Sequence, residues 1–185
     1  MGKIFVVRHG EIDLNAQERY AGCLDVELNK NGLRQTRDIV EDIGNLKIDL
    51  IISSPLKRCQ YMAEAVSRAM SLPVITMAEF RERGVGIFEG LTRDEARIKY
   101  PEFWARNITR IYNDAPPGGE TIKQVEERVF VGLKEICKKY NNRNVLIVTH
   151  AFIGRMINKF FNNITEEQFF AYKLGNAKIA EYICS

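Results

Sequence analysis

The sequence predicts an α/β fold, a single three-layer α/β/α domain over residues 1–185 with a mostly parallel central sheet. Three observations predict it. Short apolar runs alternate with stretches of helical periodicity along the whole chain. The runs within Lys3–Val7, Asp49–Ser53 and Val145–Thr149 are apolar nearly throughout, as expected of strands covered on both faces. No internal repeat, low-complexity tract or linker interrupts the pattern.

Each element has its own reason. Lys3–Val7 reads as the first strand, and a loop-rich stretch follows it. Leu33, Ile39, Val40, Ile43 and Leu46 fall near helical spacing. Asp49–Ser53 is the second strand, and Pro55 opens the next helix, since proline is tolerated in a first turn. Leu56, Cys59, Ala63, Val66 and Met70 form that helix's buried stripe. Pro73–Thr76 is a third, shorter strand. Thr92 and Glu95 make a capping box for a helix that Pro101 interrupts, with Trp104, Ile108, Ile111 and Tyr112 continuing helically beyond it. After the tight loop Pro116–Gly119, Thr121 and Gln124 cap a long helix with Ile122, Val125, Val129, Leu133, Ile136 and Tyr140 inward. Val145–Thr149 is the fourth strand, Ile153–Phe161 a helix and Ala177–Ile183 a last strand, open to pairing within the sheet or across a homodimer.

Composition excludes several classes. Hydrophobic residues make up 45% and charged residues 28%, a normal globular balance that buries a core without metals or staples. The net charge of +3 comes without a basic stripe, which argues against nucleic acid. No apolar stretch approaches the roughly 20 residues of a membrane span, and no leader precedes the first strand. The four cysteines, Cys23, Cys59, Cys137 and Cys184, form no C-x-x-C pair, so neither zinc nor a redox motif is signalled. Free thiols in a reducing cytoplasm are expected.

The chemistry collects past the strand ends. The chain has two histidines, His9 and His150, each just after a buried strand. Ligands of open α/β sheets bind beyond the carboxyl ends of the strands, so the two can share one crevice. Arg8 precedes His9, and Arg58 lies in the first turn of the helix after the second strand, a natural phosphate seat. A neutral imidazole can accept a phosphoryl group covalently while arginines neutralise its oxygens, and an acid must protonate the leaving alkoxide. Glu11, Asp13, Glu82, Glu89 and Glu120 are the carboxylates in loop-like stretches, and spacing alone does not choose among them.

These residues in this order resemble the histidine phosphatase superfamily, the phosphoglycerate-mutase-like proteins. The resemblance rests on Arg8-His9-Gly10-Glu11 with Asn15, on Gly22, Asp25, Leu28, Gly32 and Gln35, and on Ser54-Pro55-Leu56-Lys57-Arg58. It continues through Glu82, Gly86, Glu89 and Gly90, Pro117–Glu120 and Val148-Thr149-His150. It implies that His9 is the nucleophile, that Arg8, Arg58 and His150 bind phosphate, that Glu82 is the proton donor, and that Asn15 and Gly22 lie near the substrate. It implies no cofactor and no metal, and a small phosphomonoester as partner. Three departures from the family pattern stand out: Ile12 replaces a threonine, Met62 a threonine, and Ala151-Phe152 the glycines after the second histidine.

The expected activity is a metal-independent phosphomonoester phosphatase acting through a phosphohistidine. The rivals are a phosphoglycerate mutase using the same histidine and a non-enzymatic scaffold for phosphorylated ligands. The stretch between Gly90 and Pro116 is compact, whereas mutases of the family resemble longer chains, and this favours hydrolysis. The compact form resembles α-ribazole phosphatases and broad-specificity phosphatases. Cys137 and Arg143 satisfy the C-x5-R spacing of cysteine phosphatases, but lie at a helix end with bulky residues between them, where no phosphate-cradling loop can form.

Overall fold

The computed structural model describes residues 2–184. In chain order the elements are β1 (Lys3–Arg8), α1 (Asp13–Ala16), α2 (Lys30–Gly44), β2 (Leu50–Ser53), α3 (Lys57–Met70) and β3 (Val74–Thr76). Then come α4 (Arg93–Lys99), α5 (Pro101–Ala105), α6 (Ile122–Lys139), β4 (Val145–Thr149), α7 (Ala151–Phe161), α8 (Glu166–Ala171) and β5 (Ile179–Ile183). Single 3-10 turns lie at Ala78–Phe80, Gly86–Phe88 and Ile108–Arg110.

The sheet order is β3-β2-β4-β1-β5. The first four strands run parallel, and β5 pairs antiparallel with β1 inside the chain. Successive strand side chains point to opposite faces, so the sheet divides the core in two. Ile4, Val6, Ile52 and Ile147 pack with α6, α7 and α8, while Phe5, Val7, Ile51 and Val148 pack with α2 and α3. A smaller cluster of Val85, Phe88, Ala96 and Ile108 fills the space under the loops. The α/β/α expectation is met.

Register is what brings chemistry together. Arg8 pairs with Thr149 and Ser53 with Val148. The residues just beyond, His9, His150 and Ser54, therefore emerge side by side at the carboxyl edge.

The structure corrects four expectations. Pro55 lies outside α3, whose N-cap is Leu56. The stretch from Trp104 to Tyr112 is not one helix: α5 ends at Ala105, and Asn107 takes φ 52°, which breaks it before the 3-10 turn. Helix α8, capped by Thr165 and Gln168, was not anticipated. Finally, the thiols are not all free. Cys137 and Cys184 form a disulfide between the end of α6 and the end of β5, across a separation of 47 residues, while Cys23 and Cys59 remain thiols. The Cys137–Arg143 spacing is thereby accidental. Among the described residues, no helix is long and apolar enough to cross a membrane.

Candidate active site

The loop after β1 turns tightly because two glycine backbones touch. A Cβ on Gly10 would lie 2.5 Å from the Gly32 carbonyl oxygen, and one on Gly32 2.1 Å from that of Glu11. This contact packs the start of α2 against the His9 loop. The amide of His9 donates to Thr149 O (3.0 Å), and Asn176 Nδ2 donates to His9 O (2.9 Å).

His9 and His150 face each other with ring centroids 5.1 Å apart at 61°. Both are buried, at 3% and 0% exposure. Nδ1 of His9 lies 2.6 Å from Gly10 O. A carbonyl only accepts, so Nδ1 carries the proton and Nε2 keeps its lone pair. Burial first, then the charges of Arg58 and Arg8, hold the His9 pKa well below its ordinary 6.5. The imidazole is neutral at pH 7, the form in which an imidazole can act as a nucleophile.

Arg58, 1% exposed, is held by Nε to His150 Nδ1 (3.3 Å), Nη1 to Leu24 O (2.6 Å) and Nη2 to Gly22 O (2.9 Å). A guanidinium has five N–H groups, so two remain for phosphate oxygens. His150 spends its other nitrogen, Nε2, on Ser54 Oγ at 2.7 Å. Burial, then Arg58, pushes His150 well below 6.5 as well. Nη1 of Arg8 donates to Leu174 O (3.2 Å), and its buried Nε has no partner among the described residues.

The carboxylates left open by the sequence now separate. Glu11 accepts from Asn29 Nδ2, Glu89 from the amides of Cys23 and Val85, and Glu120 from Arg128 and the Gly84 amide. Asp13 is exposed in α1. Glu82 accepts from the amides of Arg83 (2.9 Å) and Phe152 (3.3 Å), and the second contact ties it to the first turn of α7, beside His150. Gly22 adopts φ 48°, a conformation open to glycine, and a Cβ there would strike Glu89. Asn15 Oδ1 accepts from the Ile12 amide and from Asn176 Nδ2, both at 3.3 Å. The structure thus gathers Arg8, His9, Arg58 and His150, with Glu82, Gly22 and Asn15 around them.

Among the departures, Ile12 and Met62 are fully buried, and Met62 belongs to the core against α2. Phe152 is half-buried, flanked by the guanidinium carbons of Arg83 at 5.0 Å and Arg155 at 6.0 Å from its ring centre. Sequence reasoning missed Ser54 as the partner of His150, though it named the serine in its motif. It also missed Asn176, which no local pattern marks.

Two buried imidazoles meeting beside two arginines at the carboxyl edge of a parallel sheet make a site suited to phosphoryl transfer through histidine. The chain belongs to the histidine phosphatase superfamily, branch 1, whose model matches residues 4–184. It is 34% identical over 181 residues to a metal-independent phosphoserine phosphatase of Arabidopsis thaliana, covering 96% of this chain and 74% of that one. It is 36% identical over 150 residues to the phosphatase PhoE of Bacillus subtilis, whose own function is uncharacterized, covering 81% and 72%. Its fold matches a mycobacterial glucosyl-3-phosphoglycerate phosphatase in complex with VO3 at a TM-score of 0.88 and 25% identity, over 98% and 90% of the chains. The protein is a phosphatase.

Proposed function

We propose that this chain, as one catalytic domain, hydrolyses a small phosphomonoester carrying a second anionic group, with phosphoserine and phosphoglycerates as the leading class. The observation that carries the reaction is the neutral His9 with its Nε2 lone pair unspent beside two arginines. In this reading His9 Nε2 attacks phosphorus in line, and the P–O bond to the leaving group breaks. Arg8 and Arg58 neutralise the equatorial oxygens, and His150 lines the same pocket while ordering Arg58. The unpartnered Arg8 Nε supports an anion there, because an unsatisfied buried donor is costly. Glu82 gives a proton to the departing alkoxide and later takes one from the water that attacks phosphohistidine. Asn15 and Gly22 border the substrate.

The second anionic group is supported by charge. Arg93, Arg110 and Arg155 make no ion pair among the described residues. The Arg155 guanidinium is pushed down by burial; Glu82 opposes that, and Arg110 and Arg93 add to it. Three clustered cations favour a carboxylate near the reacting ester. The name of the Arabidopsis relative points the same way.

The test is inorganic phosphate release from phosphoserine, 3-phosphoglycerate, sugar phosphates, α-ribazole 5′-phosphate and an aryl phosphate, with EDTA present and His9→Ala alongside. Release that survives EDTA, favours the carboxylated esters and vanishes in the variant is the expected result. Interconversion of phosphoglycerates without release would move the reading to a mutase.

A further inference from the structure

The loop that carries Glu82 is held from behind by an ion pair that takes no part in the chemistry described above. Arg128, on α6, donates Nε to Glu120 Oε1 (2.9 Å) and Nη2 to Glu120 Oε2 (3.0 Å), a two-pronged pairing. The same guanidinium donates Nη1 to Glu79 O (2.6 Å) and Nη2 to Glu82 O (3.3 Å). It therefore grips the backbone on the near side of Glu82 and at Glu82 itself.

Glu120 grips the far side. Its Oε2 accepts from the Gly84 amide (2.9 Å), its amide donates to Gly84 O (2.8 Å), and its carbonyl accepts from Arg83 Nε (2.8 Å). Every residue from Glu82 to Gly84 is thus bonded to Glu120 or Arg128. Arg81 adds a weaker contact to Glu120 at 3.7 Å, from a side chain 44% exposed. Both members of the central pair are about four-fifths buried, with side-chain exposures of 19% and 20%. Burial raises the Glu120 carboxyl, but the Arg128 and Gly84 hydrogen bonds outweigh it and hold it below the ordinary range.

A surface ion pair would stabilise little and position nothing. This one is enclosed, geometrically constrained, and spends its remaining donors and acceptors on the main chain of one loop. Glu82 sits at the centre of that loop, and among the described residues its own carboxyl is anchored only by two backbone amides. A small displacement of a catalytic group can cost up to about 100-fold in rate.

We propose that Glu120 and Arg128 are positioning residues that set the Glu82 carboxyl for proton transfer, a role that rests on Glu82 being the acid. They touch no substrate. Their effect falls on the proton transfers of Glu82, to the leaving group and later from the attacking water, and only the first of these enters kcat/KM.

The experiment compares phenyl phosphate with p-nitrophenyl phosphate, two esters of similar size whose leaving groups differ in their need for an acid. The parameter is kcat/KM, which for a two-step mechanism reports events up to release of the phenol. Glu120→Gln and Arg128→Met are each expected to lower it on phenyl phosphate by about tenfold or more. On p-nitrophenyl phosphate the change stays within about twofold, because p-nitrophenolate leaves without a proton. Arg128→Lys keeps the charge but loses the fork and recovers only part of the loss. In a Glu82→Gln background, Glu120→Gln adds nothing on phenyl phosphate.

A merely structural pair would lower the folded fraction and depress both substrates equally, and that result overturns the proposal. So does an additive loss in the double variant. If Glu82→Gln itself fails to discriminate between the two esters, the acid assignment falls and the proposal with it. If Glu82→Gln discriminates and the Glu120 and Arg128 variants do not, the positioning proposal alone is wrong.

Discussion

Arg58 Nε lies 3.3 Å from Nδ1 of His150, and this contact decides where the His150 proton sits. A guanidinium can only donate, so Nδ1 accepts and the proton is on Nε2. Nε2 then donates to Ser54 Oγ at 2.7 Å, deep in the protein. The chain Arg58–His150–Ser54 links the second strand end to the fourth, and it orients the Arg58 guanidinium through a neutral histidine. Ser54→Ala removes the acceptor and leaves a buried N–H unpaired, which costs about 1–3 kcal/mol. A lowered urea midpoint is expected, together with slower turnover on every phosphate ester. Unchanged stability would mean that His150 finds another acceptor.

Stability should fall in mild acid because of the two histidines. In the unfolded chain each titrates near 6.5. In the fold, burial first and then neighbouring cations hold both well below that. As pH drops below about 6.5, the unfolded state binds more protons than the native one, and unfolding is favoured. The slope is up to about 1.4 kcal/mol per pH unit for each histidine. No other side-chain type ordinarily titrates there, and the chain has only these two histidines. Urea midpoints from pH 7.5 to 5.5 should decline in the native sequence and decline about half as steeply in His150→Asn. Parallel curves would show that His150 is not neutral in the fold.

The disulfide supports stability and not catalysis. Lys3 pairs with Ile183, so Cys184 lies at the amino end of β1, opposite the histidines. Closing the 47-residue separation between Cys137 and Cys184 stabilises by about 2–4 kcal/mol through the unfolded chain. Cys137→Ser with Cys184→Ser, or reduction by dithiothreitol, should lower the melting temperature by several degrees. The value of kcat at 25 °C should be unchanged. A loss of activity in the folded double variant would tie β5 to the site through Asn176.

What could be read from the sequence was local. The capping boxes Thr92–Glu95 and Thr121–Gln124 each need only three residues of context, and both stand as expected. Buried parallel strands show as apolar runs, so Val145–Thr149 was found to the residue. The two histidines were legible because each directly follows such a run. The helix expected through Tyr112 failed because its apolar spacing serves a small loop cluster around Ile108, where tertiary packing overrode periodicity. The disulfide, the Ser54–His150 bond and the grip of Arg128 on Glu79 and Glu82 join residues 47, 96, 49 and 46 positions apart. No local pattern encodes such pairs; they exist only once the sheet register is set.

Glu82 and Arg58 should separate by leaving group. In the proposed mechanism Glu82 acts on the oxygen that departs, so Glu82→Gln should lower kcat/KM on phosphoserine by about 100-fold or more. On p-nitrophenyl phosphate the same variant should keep its initial burst of p-nitrophenol, since that group leaves unprotonated. The steady phase after the burst should slow, because water attacking phosphohistidine still needs a base. In the same mechanism Arg58 acts on the transferring phosphoryl group itself. Arg58→Ala should therefore cost about 100-fold or more on both esters and abolish the burst. Stopped-flow absorbance distinguishes the two patterns directly. A burst lost in Glu82→Gln would place its carboxyl on the phosphoryl group and not on the leaving oxygen. A burst kept in Arg58→Ala would leave the arginine as a structural partner of His150, Gly22 and Leu24 alone.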